Sequence, residues 1–393
     1  MQCSLCHQEK AVEFLNLGQQ PLANKYPTQE QILKEDFFPL QVFFCHNCKN
    51  VQLGTMVSRA RMFEDYYYLS SVNPGLVRHF NAFAKQLAKA KFVVDIGSND
   101  GILLKPLKEL GVKAIGVEPS INVSKIANEQ GLTTLVSFFN TDSVEKIKKE
   151  WERPDVVITS SVFTHLDNPH QFIEDVKNLM TDDGAFIIEV EYIGNFLRDV
   201  QFERFYLDRI FYYSLTSLKN LFEMHGMKLA DVENIEPHGG SIRVTAIKNT
   251  NARSASPAVL RQLEKEKAEL TPATLAEFAQ KTNEYLAAFR RKLEEYKKAG
   301  LKVAGYGAPA RVATICNYGK IGPSLIEFII DDSPLKQNRF SPGTHIPIFP
   351  KTHLENVHPD VLVVFAYEYF SDIKAKTSNR NYKYLIAIPP REI

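Results

Sequence analysis

The chain has 393 residues, with 47 Lys and Arg against 46 Asp and Glu and 44% hydrophobic residues. That length accommodates two or three domains. The balanced charge excludes the electrostatic footprint of a nucleic-acid or anionic-membrane binder, and no apolar run approaches the roughly 20 residues that span a bilayer.

The first cysteine lies at position 3, and no charged-then-apolar leader precedes it, so a soluble, cytoplasmic protein is expected. Four of the five cysteines form two C-x-x-C pairs, Cys3–Cys6 and Cys45–Cys48. In a reducing compartment such pairs point to metal rather than disulfides. Neither pair sits in a thioredoxin-like βαβ pattern. Four thiolates give tetrahedral zinc with no open position, so the metal is expected to be structural. Pro39–Phe44 alternates like a strand that delivers the second pair. So small a unit, taken as residues 1–58, buries little surface and draws folding energy from the ion.

Residues 59–250 begin with an aromatic cluster, Tyr66-Tyr67-Tyr68-Leu69-Ser70-Ser71, which on its own reads as packing. A helix pattern follows, with Leu76, Phe80, Phe83 and Leu87 on one face. Strand-like runs near 92–96, 113–117, 133–136, 155–160, 185–190 and 242–247 then alternate with helix patterns such as Val123–Gln130 and Gln171–Met180. This alternation predicts a doubly wound, Rossmann-like α/β sheet with ligands at the carboxyl ends of its strands. The run Phe92-Val93-Val94-Asp95-Ile96-Gly97-Ser98-Asn99-Asp100-Gly101 is a strand that turns under glycines into a helix. There the glycines let the backbone approach a ligand and the helix N-terminus offers free N–H groups. Its D-x-G-x-x-x-G spacing differs from the G-x-G-x-x-G made for a pyrophosphate. It suits a smaller charged head, such as the amino-acid end of S-adenosylmethionine (SAM). Glu118, in Gly116-Val117-Glu118-Pro119, stands 21 residues past Gly97, about where a carboxylate reaches a ribose hydroxyl. Ser160 and Ser161 end another strand, and His165 follows where it can face a ligand; a structural histidine is the plainer alternative.

Residues 251–300 carry apolar positions at helical spacing, broken at Thr271-Pro272, and read as a helical connector packed on both neighbours. Residues 301–393 open a second α/β unit. Leu301–Arg311 is again strand, glycine turn and helix, and Ile326–Ile330 runs into Asp331 and Asp332. Alone, this unit is open to three readings: a dinucleotide site, a substrate-binding half or a decayed duplication.

The whole chain resembles the SAM-dependent sugar C-methyltransferases, which methylate a carbon of a nucleotide-linked keto-deoxysugar. The resemblance rests on motifs in order. They are Gly18-Gln19-Gln20-Pro21-Leu22-Ala23-Asn24 between the cysteine pairs, Asp95–Gly101, Glu118–Val123, and His238-Gly239-Gly240-Ser241-Ile242-Arg243-Val244. Gly305–Ala308, Asp331–Gln337 and Pro342–Pro347 complete the set. It implies that Asp95, Gly97, Asn99, Gly101, Glu118, Pro119 and Ser160 hold SAM, with Tyr68 and Ser70 coming over it. It implies a sugar nucleotide between the middle and C-terminal domains, near His238, Gly239, Ser241, Arg243, Tyr306, Gly307 and Lys336. No nucleic acid or membrane partner is expected, and a monomer is favoured.

One stretch departs from the family. Its members usually carry Tyr-x-Glu-His-x-x-Tyr, where the histidine is a candidate base. This chain reads Tyr206-Leu207-Asp208-Arg209-Ile210-Phe211-Tyr212. Arginine stays protonated at biological pH and cannot abstract a proton. C-methylation next to a ketone needs a base and a group that stabilises the enolate oxygen. Tyr206, His165 and His238 remain as bases, Asp208 stands at the acidic position, and Arg209 suits an anion. The alternatives are a SAM-dependent O- or N-methyltransferase on a related acceptor, or a binding module that has lost catalysis. A nicotinamide oxidoreductase would need the G-x-G-x-x-G that the middle domain lacks.

Overall fold

The computed structural model describes residues 1–58, 69–378 and 380–393. Tyr68 lies outside the described residues.

In the N-terminal part, β1 (Ala11–Pro21), β2 (Phe37–Cys45) and β3 (Val51–Leu53) form an antiparallel sheet. Met1–Cys6 and the turn after β2 bring the two cysteine pairs together. The middle part builds the sheet expected from the alternating pattern. Its strands are β4 (Phe92–Ile96), β5 (Lys113–Glu118), β6 (Thr134–Val136), β7 (Val156–Ser160) and β8 (Ala185–Glu191). A short β9 (Phe211–Tyr212) pairs with β3, outside that sheet. The hairpin β10 (Met227–Ile235) and β11 (Ser241–Lys248) completes the sheet. The order is β10-β11-β8-β7-β4-β5-β6, parallel except for β11, which is inserted antiparallel between β8 and β10. Strands β4 and β8 are buried almost throughout, which is why they read as continuous apolar runs rather than alternating ones.

The C-terminal sheet comprises β12 (Val303–Tyr306), β13 (Ile329–Ile330), β14 (Arg339–Phe340), β15 (Pro347–Phe349), β16 (Val361–Val364), β17 (Lys383–Ile386) and β18 (Arg391–Glu392). Its order is β14-β15-β13-β12-β16-β17-β18, with a parallel centre and antiparallel edges. The connector is two helices, Pro257–Glu269 and Pro272–Lys298. They divide at Thr271, whose side chain caps the second helix by accepting from Thr274 N, with Pro272 at the first helical position.

The zinc module is not a free-standing unit. One apolar cluster runs from Leu15, Leu40 and Phe44 through Phe202 and Phe205 and the connector's Phe278 and Phe289 into Val312, Ile329 and Val363. Phe205 is its joint. Its ring centroid lies 6.4 Å from Phe14, 6.1 Å from Phe278, 5.8 Å from Phe196 and 4.6 Å from Tyr212. The cysteines join a second cluster under the methyltransferase sheet, with Phe172, Phe186, Phe211 and Phe222. Phe205 and Tyr212 therefore anchor the two ends of the segment between them in packed aromatic rings.

Candidate active site

In the zinc module, the four cysteine sulfurs lie within 4.8 Å of one another. Cys3 and Cys48 Sγ are 3.7 Å apart, and Cys6 and Cys45 Sγ 3.6 Å. A tetrahedron with Zn–S bonds of about 2.3 Å has edges of about 3.8 Å, so the donor set fits zinc. All four thiolates are used, and the metal holds the fold rather than entering the chemistry.

At the carboxyl ends of β4 and β5, Gly97 and Gly101 have φ of +75° and +84°. A Cβ at Gly97 would lie 2.2 Å from Val162 Cγ2, and one at Gly101 2.4 Å from Leu132 Cδ1. Glycine is thus required by the backbone and by packing as well as by any ligand. Glu118 accepts from Asn99 N (3.1 Å) on one oxygen and from Ser120 N (2.9 Å) on the other. Each carboxylate oxygen keeps further acceptor capacity for a ribose hydroxyl. Pro119 carries the chain from Glu118 to Ser120. The segment after the undescribed residues returns over this turn. Ser70 N donates to Asn99 Oδ1 at 2.9 Å, and Ser71 N and Oγ donate to Asp100 Oδ2 at 3.1 and 2.5 Å.

The charge of this pocket is acidic. Burial pushes the Asp95 carboxyl up to about 7, and Glu189 and Glu118 add to the shift. Ser98 Oγ and Asp100 Oδ1 are buried without a protein partner. A pocket of crowded carboxylates beside unused polar atoms fits a cationic ligand, as the sulfonium and ammonium groups of SAM require. Ser160 Oγ donates to Glu189 Oε2 at 3.0 Å. Arg243 is engaged by the same residue. Its Nε donates to Glu189 Oε1 (2.8 Å) and its Nη1 to Glu233 (2.8 Å) and Gln86 (2.9 Å), while its guanidinium lies 3.7 Å from the Phe83 centroid. The structure thus places Arg243 beneath the sheet's end, in an ion-pair network that braces Glu189.

A second cluster gathers beside it around Glu191, the last residue of β8, which is fully buried. Arg209 is 9% exposed and forms an ion pair with Glu191, its guanidinium 4.9 Å from the Tyr206 ring centroid. The contact is one of charge: neither Glu191 oxygen has an aligned donor, and Arg209 Nε and Nη1 have no partner. Burial alone would raise the Glu191 carboxyl, but the Arg209 guanidinium beside it holds it below the usual range. Burial lowers His238, the largest effect on it, so its imidazole is neutral. Its backbone sits at φ +57°, a strained position for a non-glycine residue. Burial raises the Tyr206 phenol, which makes it a hydrogen-bond donor at neutral pH rather than a base. His165 Nδ1 faces the Asp208 carbonyl, and the Asp208 carboxylate accepts from Asn24 of the zinc module at 2.6 Å. Ser241 Oγ donates to Pro237 O at 2.9 Å, fixing the His238–Gly240 turn.

Tyr306 and Gly307 lie across the domain boundary, at the end of β12. Tyr306 OH donates to Asp332 at 3.1 Å. Lys336 Nζ donates to Ala308 O at 2.9 Å and stands 3.7 Å from Asp331. Tyr26 of the zinc module also donates to Ala308 O, at 2.6 Å. Gly239 packs on Arg204, whose Cζ would lie 2.5 Å from a Cβ there. Tyr206, Asp208, Arg209, His165 and His238 therefore gather at one site, whereas Arg243 belongs to the donor side and Lys336 to the C-terminal turn.

Glu189, Glu191 and Arg204 also belong to the site, though none lies in a recognised motif. Glu189-Val190-Glu191 carried a signal: period two puts both carboxylates on one face at a strand's carboxyl end. Arg204 carried none, because its partners lie far along the chain.

Fold and site define a SAM-dependent methyltransferase. Family models match the chain almost end to end: a zinc binding domain over residues 3–63, a methyltransferase domain over 62–232 and a C-methyltransferase C-terminal domain over 236–389. The chain is 29% identical to the C-methyltransferase NovU of Streptomyces niveus over 381 residues, 95% of this chain and 91% of that one. It is 28% identical over 127 residues to the mitochondrial ubiquinone biosynthesis O-methyltransferase of Arabidopsis thaliana, 30% of this chain and 39% of that one. Among solved structures, the glycopeptide N-methyltransferase MtfA complexed with SAM aligns over 47% of this chain and 96% of its own, at 13% identity and a TM-score of 0.36, a likeness too slight to bear on activity. Zinc binding, methyltransferase and C-methyltransferase C-terminal domains thus follow one another along the chain, and the likeness to a C-methyltransferase runs over nearly its whole length.

Proposed function

We propose that the enzyme methylates a carbon next to the ketone of a nucleotide-linked deoxysugar, in surface-polysaccharide or natural-product synthesis. The observation that carries this reading is a half-buried, neutral histidine, His238, within electrostatic reach of the Arg209–Glu191 ion pair, whose arginine holds two unused donors. Enolate chemistry needs those two groups, and methylation of a hydroxyl or amine needs no oxyanion site.

When bound, SAM supplies an electrophilic methyl group on its sulfonium. Asp95, Gly97, Asn99, Gly101, Glu118, Pro119 and Ser160 form the pocket that would hold it, with Ser70 above. The unprotonated ring nitrogen of His238 takes the proton from the carbon beside the ketone. Glu191 stabilises the imidazolium that results, as a buried carboxylate near a histidine does. Arg209 Nε and Nη1 donate to the enolate oxygen, while Glu191 fixes the far side of the guanidinium. Tyr206, held protonated, donates to an acceptor hydroxyl, and Asp208 and His165 position the segment through Asn24 and the Asp208 carbonyl. With SAM bound, the enolate electron pair would take its methyl group, the new carbon–carbon bond forming as the methyl–sulfur bond breaks and S-adenosylhomocysteine leaves, and His238 would return its proton to solvent.

The test is product analysis on a panel of nucleotide-linked keto-deoxysugars with 13C-methyl SAM. A carbon-attached methyl signal is expected. A methyl attached to oxygen or nitrogen would decide for the second reading, a heteroatom acceptor, which rests on position 209 lacking the histidine that the family resemblance implies. The absence of SAM and S-adenosylhomocysteine binding by the zinc-loaded protein would overturn both.

A further inference from the structure

Two arginines from different domains meet on one carboxylate oxygen. Arg204 belongs to the methyltransferase domain, just before Phe205. Arg311 opens the helix Arg311–Gly319 after the Gly307 turn. Both lie against Glu368 Oε1, Arg311 Nη2 at 2.8 Å. Glu368 sits in the segment after β16. Strands β12 and β16 are parallel neighbours, yet from β12 the chain passes to β13 on the other side. The gap between β12 and β16 is therefore the switch point of this sheet, where doubly wound folds take their ligands. Here the gap is shut: Gly307 has φ +82°, and a Cβ there would lie 2.6 Å from Ala366 Cβ.

The arginines are underused. The Arg204 side chain is 7% exposed, and its Nη1 donates to His238 O at 2.9 Å. Arg204 Nε and Arg311 Nη1 are buried with no partner. Arg311 also stacks 4.5 Å over the Tyr367 ring, and Tyr367 OH donates to the buried Glu203 at 2.6 Å. Two guanidinium forks sharing a single oxygen leave bidentate capacity for a larger anion, since each fork matches two oxygens of a phosphate. Glu368 is the movable member, with a side chain 32% exposed. It can swing into water, whereas the arginines are held by the backbone of His238 and the ring of Tyr367.

We propose that Glu368 is an internal stand-in for a phosphate of the acceptor, and that a diphosphate group displaces it to sit between Arg204 and Arg311. This rests on the nucleotide-linked reading of the acceptor. Because Arg204 also holds the carbonyl of His238, the same anion would be seated one residue from the proposed base.

The experiment is calorimetric titration of inorganic diphosphate into the full-length, zinc-loaded protein saturated with S-adenosylhomocysteine. If the paired state dominates tenfold, Glu368→Gln should bind diphosphate about tenfold tighter than wild type, because a competing closed state is removed. Arg311→Gln should weaken binding by at least as much, with S-adenosylhomocysteine affinity unchanged in both. Unchanged or weaker diphosphate binding by Glu368→Gln, or no binding by either protein, would overturn the proposal. Should Glu368→Gln fail to fold, hydrogen exchange on wild type decides. Diphosphate should speed exchange in the 366–370 segment, and slowed or unchanged exchange there contradicts displacement. Diphosphate binding is read without any acceptor, so the carbon-methylation reading can fail while this one stands.

Discussion

In the turn after β4, Asn99 N donates to Glu118 at the end of the next strand; in the turn after β12, Ala308 N donates to Asp331 in the same way, at 2.7 Å. Both turns contain a glycine with positive φ pressed against a neighbouring side chain. Their surroundings differ in sign. The first is crowded by Asp95, Glu118 and Glu189, so that Asp95 is driven towards protonation. In the second, Lys336 stands beside Asp331, and Arg311 and Arg204 lie close by. One backbone device thus sits in two different surroundings, and under the proposed function it serves a cationic donor at the first turn and an anionic acceptor at the second.

The residues between the two turns carry the largest expected effects. Replacing His238 with Gln should lower kcat by about 10²–10⁴, the usual worth of a general base, without changing S-adenosylhomocysteine affinity. Because burial lowers the His238 pKa, the acid limb of the wild-type kcat profile should lie below about pH 6.5, the ordinary histidine value, and should vanish in the variant. An acid limb that survives in His238→Gln and disappears in His165→Gln would move the base to His165. Next, Arg209→Gln should cost about 10²–10³ in kcat, as loss of an oxyanion donor does. Arg209→Lys should recover little, since an ammonium lacks the fork. Placing a histidine there, Arg209→His, should not raise activity if His238 is the base.

Phe205→Ala should destabilise the whole chain by about 3–5 kcal/mol, because the ring joins three parts of the molecule. A single early thermal transition of the zinc module alone would contradict that coupling. The smallest effect is on the donor side. The Asp95 pKa is raised on folding, so the folded chain binds more protons than the unfolded one between the ordinary Asp value and about pH 7. The stability that Asp95 contributes is present in acid and is lost as pH rises through 7. Asp95→Asn mimics the protonated form and should raise the melting temperature of the ligand-free protein by a few degrees at pH 8 but little at pH 5. A variant that melts lower than wild type at pH 8 would refute the shift.

Much of the donor side was legible because its signals are local. The strand at 92–96 falls as expected, since buried parallel strands are short apolar runs. The Thr271-Pro272 break was equally legible, being a cap and an N1 proline in adjacent positions. The strand at Ile326–Ile330 shrank to two residues, and β1, β3, β9 and β10 were not foreseen, because pairing partners outweigh local pattern there. The acceptor side was less legible. Tyr367 meets Glu203, and Arg204 meets Glu368, each across 164 residues of chain. No spacing rule links such pairs. Arg209 was visible as an anomaly, but its partner Glu191 was hidden in a strand that looked like core.

Under the proposed function this chain makes an enolate at a carbon beside its acceptor's ketone, with His238 as base and Arg209 on the oxygen. The most direct measurement is deuterium exchange into that carbon, followed by NMR, with S-adenosylhomocysteine in place of SAM. Exchange in the wild type, lost in His238→Gln and slowed in Arg209→Gln, is the predicted result. Methyl transfer from SAM by a protein that shows no such exchange, with the methyl found on a heteroatom, would contradict it.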